Sequence, residues 1–412
     1  MKSKLNFIFF VGVLTVCLVL AKVYSSPDLS RSGQLSDFTA AMSVDLNSAE
    51  SEGNHNSSRQ FPNLAVNDPD SIPYDFPLGW YDSIENLTTP ARIANEGINL
   101  VIPYTGDKNV REIELYLDRA ASAGIKVLVE IPRPAVQRKS IRRAQQFVSE
   151  LKTHPAVFGW YLYDEPVPNR ISPPALQQVY RAIKAEDPKH TVVVAFNRLI
   201  RITEYSEALD TVMYGKYPVL YNSAEFDGFQ NGIFKRLIDT GVSVTDDRHD
   251  FWFIVQAYGE DRNGRPQFNK RLPTATEEKY MVYSAILSGA DGLFFWAHYR
   301  AQQQWIDSVL TPIITELQNY LPAITNGTMD DRLTVDNSAI QTSLYRDPTT
   351  EDLLLIAVNH SESKLETAIA TKNLQAYYTE ILQENRRLDL DRGILNDTFE
   401  PYAVHIYRFK SS

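Results

Sequence analysis

Cysteine is almost missing from this chain. Its 412 residues carry one, Cys17, and a lone thiol rules out an intrachain disulfide framework and any metal site built on several cysteines. Histidine is scarce as well, and the seven copies are scattered without ligand spacing, so neither a metal nor any other cofactor is expected. Neither G-x-G-x-x-G nor G-x-x-x-x-G-K-[ST] occurs, which removes the phosphate loops of dinucleotide and nucleotide sites. No dense Lys/Arg patch with interleaved aromatics is present and the formal charge is -10, so a nucleic-acid surface is not expected.

What is present begins with an address. Lys2 and Lys4 precede an apolar stretch, Leu5 to Ala21, followed by Lys22-Val23-Tyr24-Ser25-Ser26. Residues 1–26 read as a secretory signal cleaved after Ser25 or Ser26, or as an uncleaved membrane tether through residues 5–21. The expected location is secreted or periplasmic, with membrane anchoring as the alternative. Cys17 lies inside this stretch and is preceded by Val16, where a lipid-attachment site prefers a small residue. Sequons stand at Asn56, Asn86, Asn326, Asn359 and Asn396. Residues 27–70 are rich in Ser, Asp and Asn without sustained periodicity, and read as a disordered linker. Nothing in the sequence specifies an oligomeric state.

From residue 71 the pattern alternates between strands and helices. Strands are predicted at Phe76–Tyr81, Asn99–Tyr104, Lys126–Ile131, Phe158–Asp164, Thr191–Phe196, Thr211–Tyr217, Trp252–Tyr258 and Gly292–Ala297. Helices are predicted at Val110–Ala123, Ser140–Leu151, Ala175–Ala185, Glu277–Leu287 and Gln304–Tyr320, with Gly97, Gly124 and Gly289 placed as C-caps. Eight such units over residues 71–327 match a (β/α)₈ TIM barrel. A doubly wound open sheet is the alternative, and it usually advertises a glycine-rich phosphate loop. Residues 328–412 change style. Short strand-like runs at Ile340–Tyr345, Leu353–Asn359, Leu365–Ala370, Tyr377–Leu382 and Ala403–Phe409 predict a small antiparallel β-sandwich.

The run Val157-Phe158-Gly159-Trp160-Tyr161-Leu162-Tyr163-Asp164-Glu165 is apolar and aromatic until two acids close it, and Pro166 ends it. It delivers Asp164 and Glu165 to the mouth of a core, where partial desolvation raises a carboxyl pKa towards the range of a general acid. A barrel keeps its chemistry at the C-terminal strand ends. Those ends here carry Trp80, Tyr81, Asp82, Tyr104, Glu130 with Arg133, Asn197 with Arg198, Lys216, Tyr217, Gln256, Tyr258, Glu260, Trp296, His298 and Tyr299. Aromatic faces beside carboxylates, amides and cations suit a sugar ring, with its apolar C–H faces and hydroxyl rim. Each has a plainer reading: Glu130 as the ion-pair partner of Arg133, Glu260 as part of a solvated turn, Trp160 and Trp252 as core. The cluster Asp246–Asp250 precedes strand seven, at the end of a barrel that serves stability.

Gly159-Trp160-Tyr161-Leu162-Tyr163-Asp164-Glu165-Pro166 resembles the fourth-strand motif of the (β/α)₈ glycoside hydrolase superfamily called clan A, in which Asn-Glu-Pro ends the strand. Gly289-Ala290-Asp291-Gly292 before an aromatic strand, and Pro401–Arg408 as a closing sandwich strand, resemble the same group. The resemblance implies a hydrolase of O-glycosidic bonds in a poly- or oligosaccharide, with Glu165 as acid/base and Asp164 in place of the usual Asn. Strand seven departs from the pattern, with Gln256-Ala257 where the group places its nucleophilic Glu. Three mechanisms follow. Glu260 serves as nucleophile; or a more distant carboxylate (Glu130, Asp82 or Glu260) activates water with inversion; or the substrate's own 2-acetamido group attacks. The last is similar to the family 20 hexosaminidases, whose adjacent Asp-Glu pair ends strand four. A carbohydrate-binding barrel without catalysis is the further alternative.

Overall fold

The computed structural model describes residues 76–410, apart from 86–88, 107, 139, 262, 330–332 and 372–376. The expected leader and linker, Cys17, and the sequons at Asn56 and Asn86 lie outside the described residues. Eight parallel strands form a closed barrel: β1 Leu78–Ser83, β2 Leu100–Tyr104, β3 Lys126–Glu130, β4 Val157–Asp164, β5 Thr191–Phe196, β6 Thr211–Gly215, β7 Asp250–Gln256 and β8 Gly292–Trp296. Closure is explicit in the pairing of β1 with both β2 and β8, which excludes the open doubly wound sheet.

The strands are aliphatic and aromatic on both faces because both faces are buried. Inward-facing Tyr81, Leu100, Ile102, Leu128, Tyr161, Val193, Ala195, Met213, Trp252, Ile254 and Phe294 fill the barrel. Outward-facing residues meet the helices. Trp160, for example, packs edge-on to Phe147 of the helix Ile141–Leu151 and donates to Asp187 at 2.9 Å. Capping boxes fix two helix starts, Asn109 with Glu112 ahead of Val110–Ser122, and Thr274 with Glu277 ahead of Ala275–Leu287. Strands β6 and β7 end two residues earlier than expected, which leaves Lys216, Tyr217 and Tyr258 in the following loops. Helix Ile233–Val244, between them, was not anticipated from the sequence. Asp246 is bound to Arg248 and His249 ahead of β7, at the barrel end opposite the strands' C-terminal rim.

From Thr328 onwards the strands are antiparallel. A three-stranded and a six-stranded sheet face each other across a core that includes Leu344, Leu355, Ile369, Leu395, Phe399 and Tyr407. The chain is therefore a TIM barrel followed by a β-sandwich. Among the described residues no helix is long and apolar enough to cross a membrane.

Candidate active site

The site is made by irregularities in β4. Regular alternation from an inward Tyr161 would turn Tyr163 inward and Asp164 out to the helices. Instead the ladder to β5 skips Leu162: Tyr161 pairs with Val193, and Tyr163 with Val194. This bulge resets the alternation, as bulges beside functional sites do. Tyr163 now faces outward, where its hydroxyl accepts from Gln137. Asp164, opposite inward-facing Ala195, shares the barrel interior with Tyr161, whose hydroxyl donates to Asp164 Oδ1 at 3.0 Å. Glu165 follows in the left-handed region, φ 54°, with its N–H on Ala195 O at 2.9 Å. A non-glycine residue there is uncommon and costs conformational energy, and such residues concentrate at functional sites.

The two acids sit in different surroundings. Burial is the main influence raising the Asp164 carboxyl, opposed by hydrogen bonds from Tyr161 and Tyr104 and by the charge of Arg133. Glu165 is half-buried, and its carboxyl is raised to about 7, by burial first and then by the charge of Asp164. Asn197, through a side-chain hydrogen bond, and the charges of Arg198 and Arg133 pull the other way. A carboxyl raised in this way meets one requirement of a general acid. Burial also raises the Tyr81, Tyr104 and Tyr161 phenols well above their ordinary value, so they remain hydroxyl donors. The Glu130 carboxylate is committed to its neighbours. It accepts from Thr105 N at 2.9 Å, Thr105 Oγ1 at 3.1 Å and Arg133 Nε at 3.0 Å, which leaves the Arg133 fork 3.9 Å from Asp164.

Across the rim stands an aromatic wall. Trp296 Nε1 donates to Tyr104 Oη at 3.1 Å, and Tyr104 in turn donates to Asp164 at 3.3 Å, so wall and acids form one network. The Trp296 ring stacks on Tyr217 at 5.6 Å and meets Tyr258 edge-on at 4.6 Å. Phe268 packs 5.9 Å from Trp296 and stays 63% exposed. Lys270, buried beneath the wall, donates to Tyr217 O; burial and neighbouring Lys216 lower its pKa to about 8.

Among solved structures the chain is similar to an Anoxybacillus α-amylase at 10% identity, TM-score 0.56, over 83% of this chain and 99% of that one. It is similar to a family 5 glycoside hydrolase of Bacteroides vulgatus at 12% identity, TM-score 0.55, over 82% and 89%. It is also similar to a family 27 β-L-arabinopyranosidase of Geobacillus stearothermophilus at 12% identity, TM-score 0.56, over 82% and 96%. No family model and no curated protein matches the chain. These likenesses establish the fold: the barrel is of the kind found in glycoside hydrolases.

Of the expected site residues, Asp164, Glu165, Tyr104, Glu130, Asn197, Tyr217, Tyr258 and Trp296 are brought to one rim, with Lys216 adjoining. Four others are corrected. Trp80 is no sugar platform: it faces the helices, fully buried, and donates to Glu96 at 3.1 Å. His298 is sealed in the same layer, bound to Glu96 at 3.2 Å and edge-on to Trp80. Asp82, buried with them, accepts from Tyr116 and stands 3.8 Å from His298, so it is not poised to activate water. Gln256 does not offer its amide to a ligand. It accepts from Val219 N at 2.9 Å and donates to the carbonyls of Val219, Tyr258 and Arg271.

Glu260 turns its carboxylate to Leu272 N at 3.0 Å, an anchoring contact for its loop, and it is not among the main influences on the Glu165 carboxyl. Tyr81 was placed at the end of strand one without a role, and the sequence reading overlooked Tyr161, Phe268 and Arg300 as site residues. Tyr161 was recoverable from alternation: it follows outward Trp160 and so must face inward, as Tyr81 does after outward Trp80. Phe268 carried a weaker signal, a lone aromatic in a polar loop.

Proposed function

We propose that this chain is a glycoside hydrolase in which Glu165 protonates the leaving-group oxygen of an O-glycosidic bond in a poly- or oligosaccharide. The observation that carries this reading is a half-buried carboxyl at the C-terminal end of β4, raised to about 7 and near enough to Tyr217 of the aromatic wall for its charge to act on that phenol. Glycosidase chemistry needs a group still protonated near neutrality beside the scissile oxygen, and the structural neighbours named above are glycoside hydrolases. Residues 1–26 favour a protein that acts after export, secreted or periplasmic, or held at a membrane by residues 5–21.

Strand seven offers Gln256, committed to backbone, and Ala257, and Glu260 is occupied with Leu272. This favours assistance by the substrate itself, with Asp164 orienting a 2-acetamido group for attack while Glu165 donates the proton. Asp164 has the setting for that role, held by two phenols and faced by Arg133. The test is Glu165→Gln assayed on a panel of glycans and aryl glycosides with and without a 2-acetamido group. Loss of general acid catalysis costs about 10²–10⁴-fold, and full activity in the variant would overturn the assignment.

The same strand-seven observation favours a second reading, a barrel that binds glycans without cleaving them. It predicts retention on a glycan support with no release of reducing sugar from any member of the panel.

A further inference from the structure

Arg300 is unusual in its company. Its guanidinium lies 4.9 Å from the Phe268 ring centre, 5.1 Å from Tyr299 and 5.3 Å from Trp296. One edge is used: Nη1 donates to Gln267 Oε1 at 2.8 Å, and Gln267 returns a longer contact of 3.4 Å to Arg300 O. Its Nε–H is buried with no partner, and among the described residues no carboxylate pairs with it. That Nε–H has lost hydration without gaining a counter-charge, while the side chain as a whole stays part-exposed. Behind the same wall lie Lys270, under the Tyr217 that stacks on Trp296, and Lys216 beside Lys270. Arg300, Lys270 and Lys216 thus gather along one wall on a chain whose formal charge is -10. A local positive field on an acidic protein is what draws and orients an anion.

The rings explain why that anion should be a sugar. Trp296 links the arginine to the acids, through Tyr104 to Asp164. Tyr299 is 43% exposed and Phe268 more so, and both are available to a C–H face. Planar guanidinium groups favour carboxylate and sulfate oxygens through paired N–H bonds. We infer that Arg300 and the rings around it form a subsite for a sugar residue bearing a carboxylate or a sulfate ester, one position removed from the bond facing Glu165. This rests on the reading of the rim as a carbohydrate site and adds the class of substrate.

The test is a titration of the whole chain with D-glucuronate, D-glucose 6-sulfate, D-glucose and inorganic sulfate. The readout is the Arg300 Nε–H nuclear magnetic resonance, assigned by its loss in Arg300→Lys. One or both anionic sugars should shift it to saturation where glucose and inorganic sulfate do not, and the one that saturates tells carboxylate from sulfate. Arg300→Gln should then weaken that sugar about tenfold or more, the scale of one charge-assisted hydrogen bond, and Arg300→Lys should recover part of it. Four results would overturn the inference: no saturation by either sugar below about 50 mM, an equal response to glucose, an equal response to inorganic sulfate, or equal affinities in Arg300→Gln. A purely structural arginine would lower the melting temperature of that variant without altering preference. Failure here leaves the Glu165→Gln assay untouched. An intact anion preference with no cleavage of any glycan would instead remove the hydrolase reading alone.

Discussion

Glu165 is held where its charge is unwelcome, and the general-acid role proposed for it should be visible as a stability cost. Its ordinary carboxyl value is 4.5 and in the fold it stands at about 7. Between these values the folded chain keeps a proton that the unfolded chain has released. The group therefore contributes nothing adverse below about 4.5, and stability is lost as pH rises through about 7. Glu165→Gln cannot ionise and escapes the loss. It should be the more stable protein at alkaline pH by about 2 kcal/mol, a figure discounted for the partial exposure of the side chain. Urea unfolding of both proteins from about pH 5 to about pH 8 checks this, since the two curves should diverge with rising pH. Parallel curves would mean the carboxyl is ordinarily solvated, and the general-acid role would lose its physical basis. The same residue should thus give an inactive variant that is harder to unfold, the usual exchange at a preorganised site.

At the scale of elements, strand ends decide what a side chain can do. Gln256 shows how a residue at the right address can be spent on architecture. Three backbone carbonyls accept from its amide nitrogen and one backbone N–H donates to its oxygen. Gln256→Glu would set a carboxylate against those carbonyls. It should destabilise the fold by about 2–4 kcal/mol and confer no new hydrolysis, measured by denaturant unfolding and by glycan assay. A gain of activity would show that the strand-seven end is open to substrate. Close by, a Cβ at Gly259 would lie 2.0 Å from Leu272 N. Gly259→Ala should therefore displace the hairpin carrying Phe268 and weaken any sugar bound at the wall.

Most of the strands and five of the helices were legible in the sequence, because a barrel strand buried on both faces reads as a continuous apolar run ended by turn residues. Facing was not legible to the same degree. Trp80 and His298 stand near strand ends yet point to the helices, and Asp164 points inward only because β4 carries a bulge that no periodicity announces. Helix Ile233–Val244 was hidden by Gly241 and by its Val and Thr residues, which are weak helix formers; tertiary packing of Phe234, Leu237 and Ile238 supplies what propensity does not.

The molecule as a whole depends on a seam between barrel and sandwich, and one histidine reports on it. Tyr402 of the sandwich stacks on Phe226 of the barrel at 4.7 Å, and His360 bonds Tyr280 at 2.9 Å. The tautomer follows from the neighbours. Gln341 gives its amide nitrogen to Leu287 O, so its oxygen faces His360 Nε2 at 2.8 Å, and that nitrogen must carry the proton. Nδ1 is left to accept from the Tyr280 hydroxyl. A neutral imidazole is thus fully satisfied, and burial, with the charge of Lys235, lowers its pKa from 6.5 to about 3. The sign is opposite to that of Glu165. The unfolded chain takes up a proton below about 6.5 that the folded chain refuses, so stability present above that value is lost as pH falls towards about 3. His360→Gln removes this linkage. Whatever the variant loses in packing, its deficit relative to the parent should shrink as pH falls from about 7 to about 4. Because the seam couples the two layers, the parent should unfold in a single transition, followed together by near-ultraviolet and far-ultraviolet circular dichroism. A deficit independent of pH would place His360 in solvent contact. Two separated transitions would make the sandwich an independent module, and residues 76–327 should then fold alone, although the seam would leave Phe226 and Tyr280 uncovered.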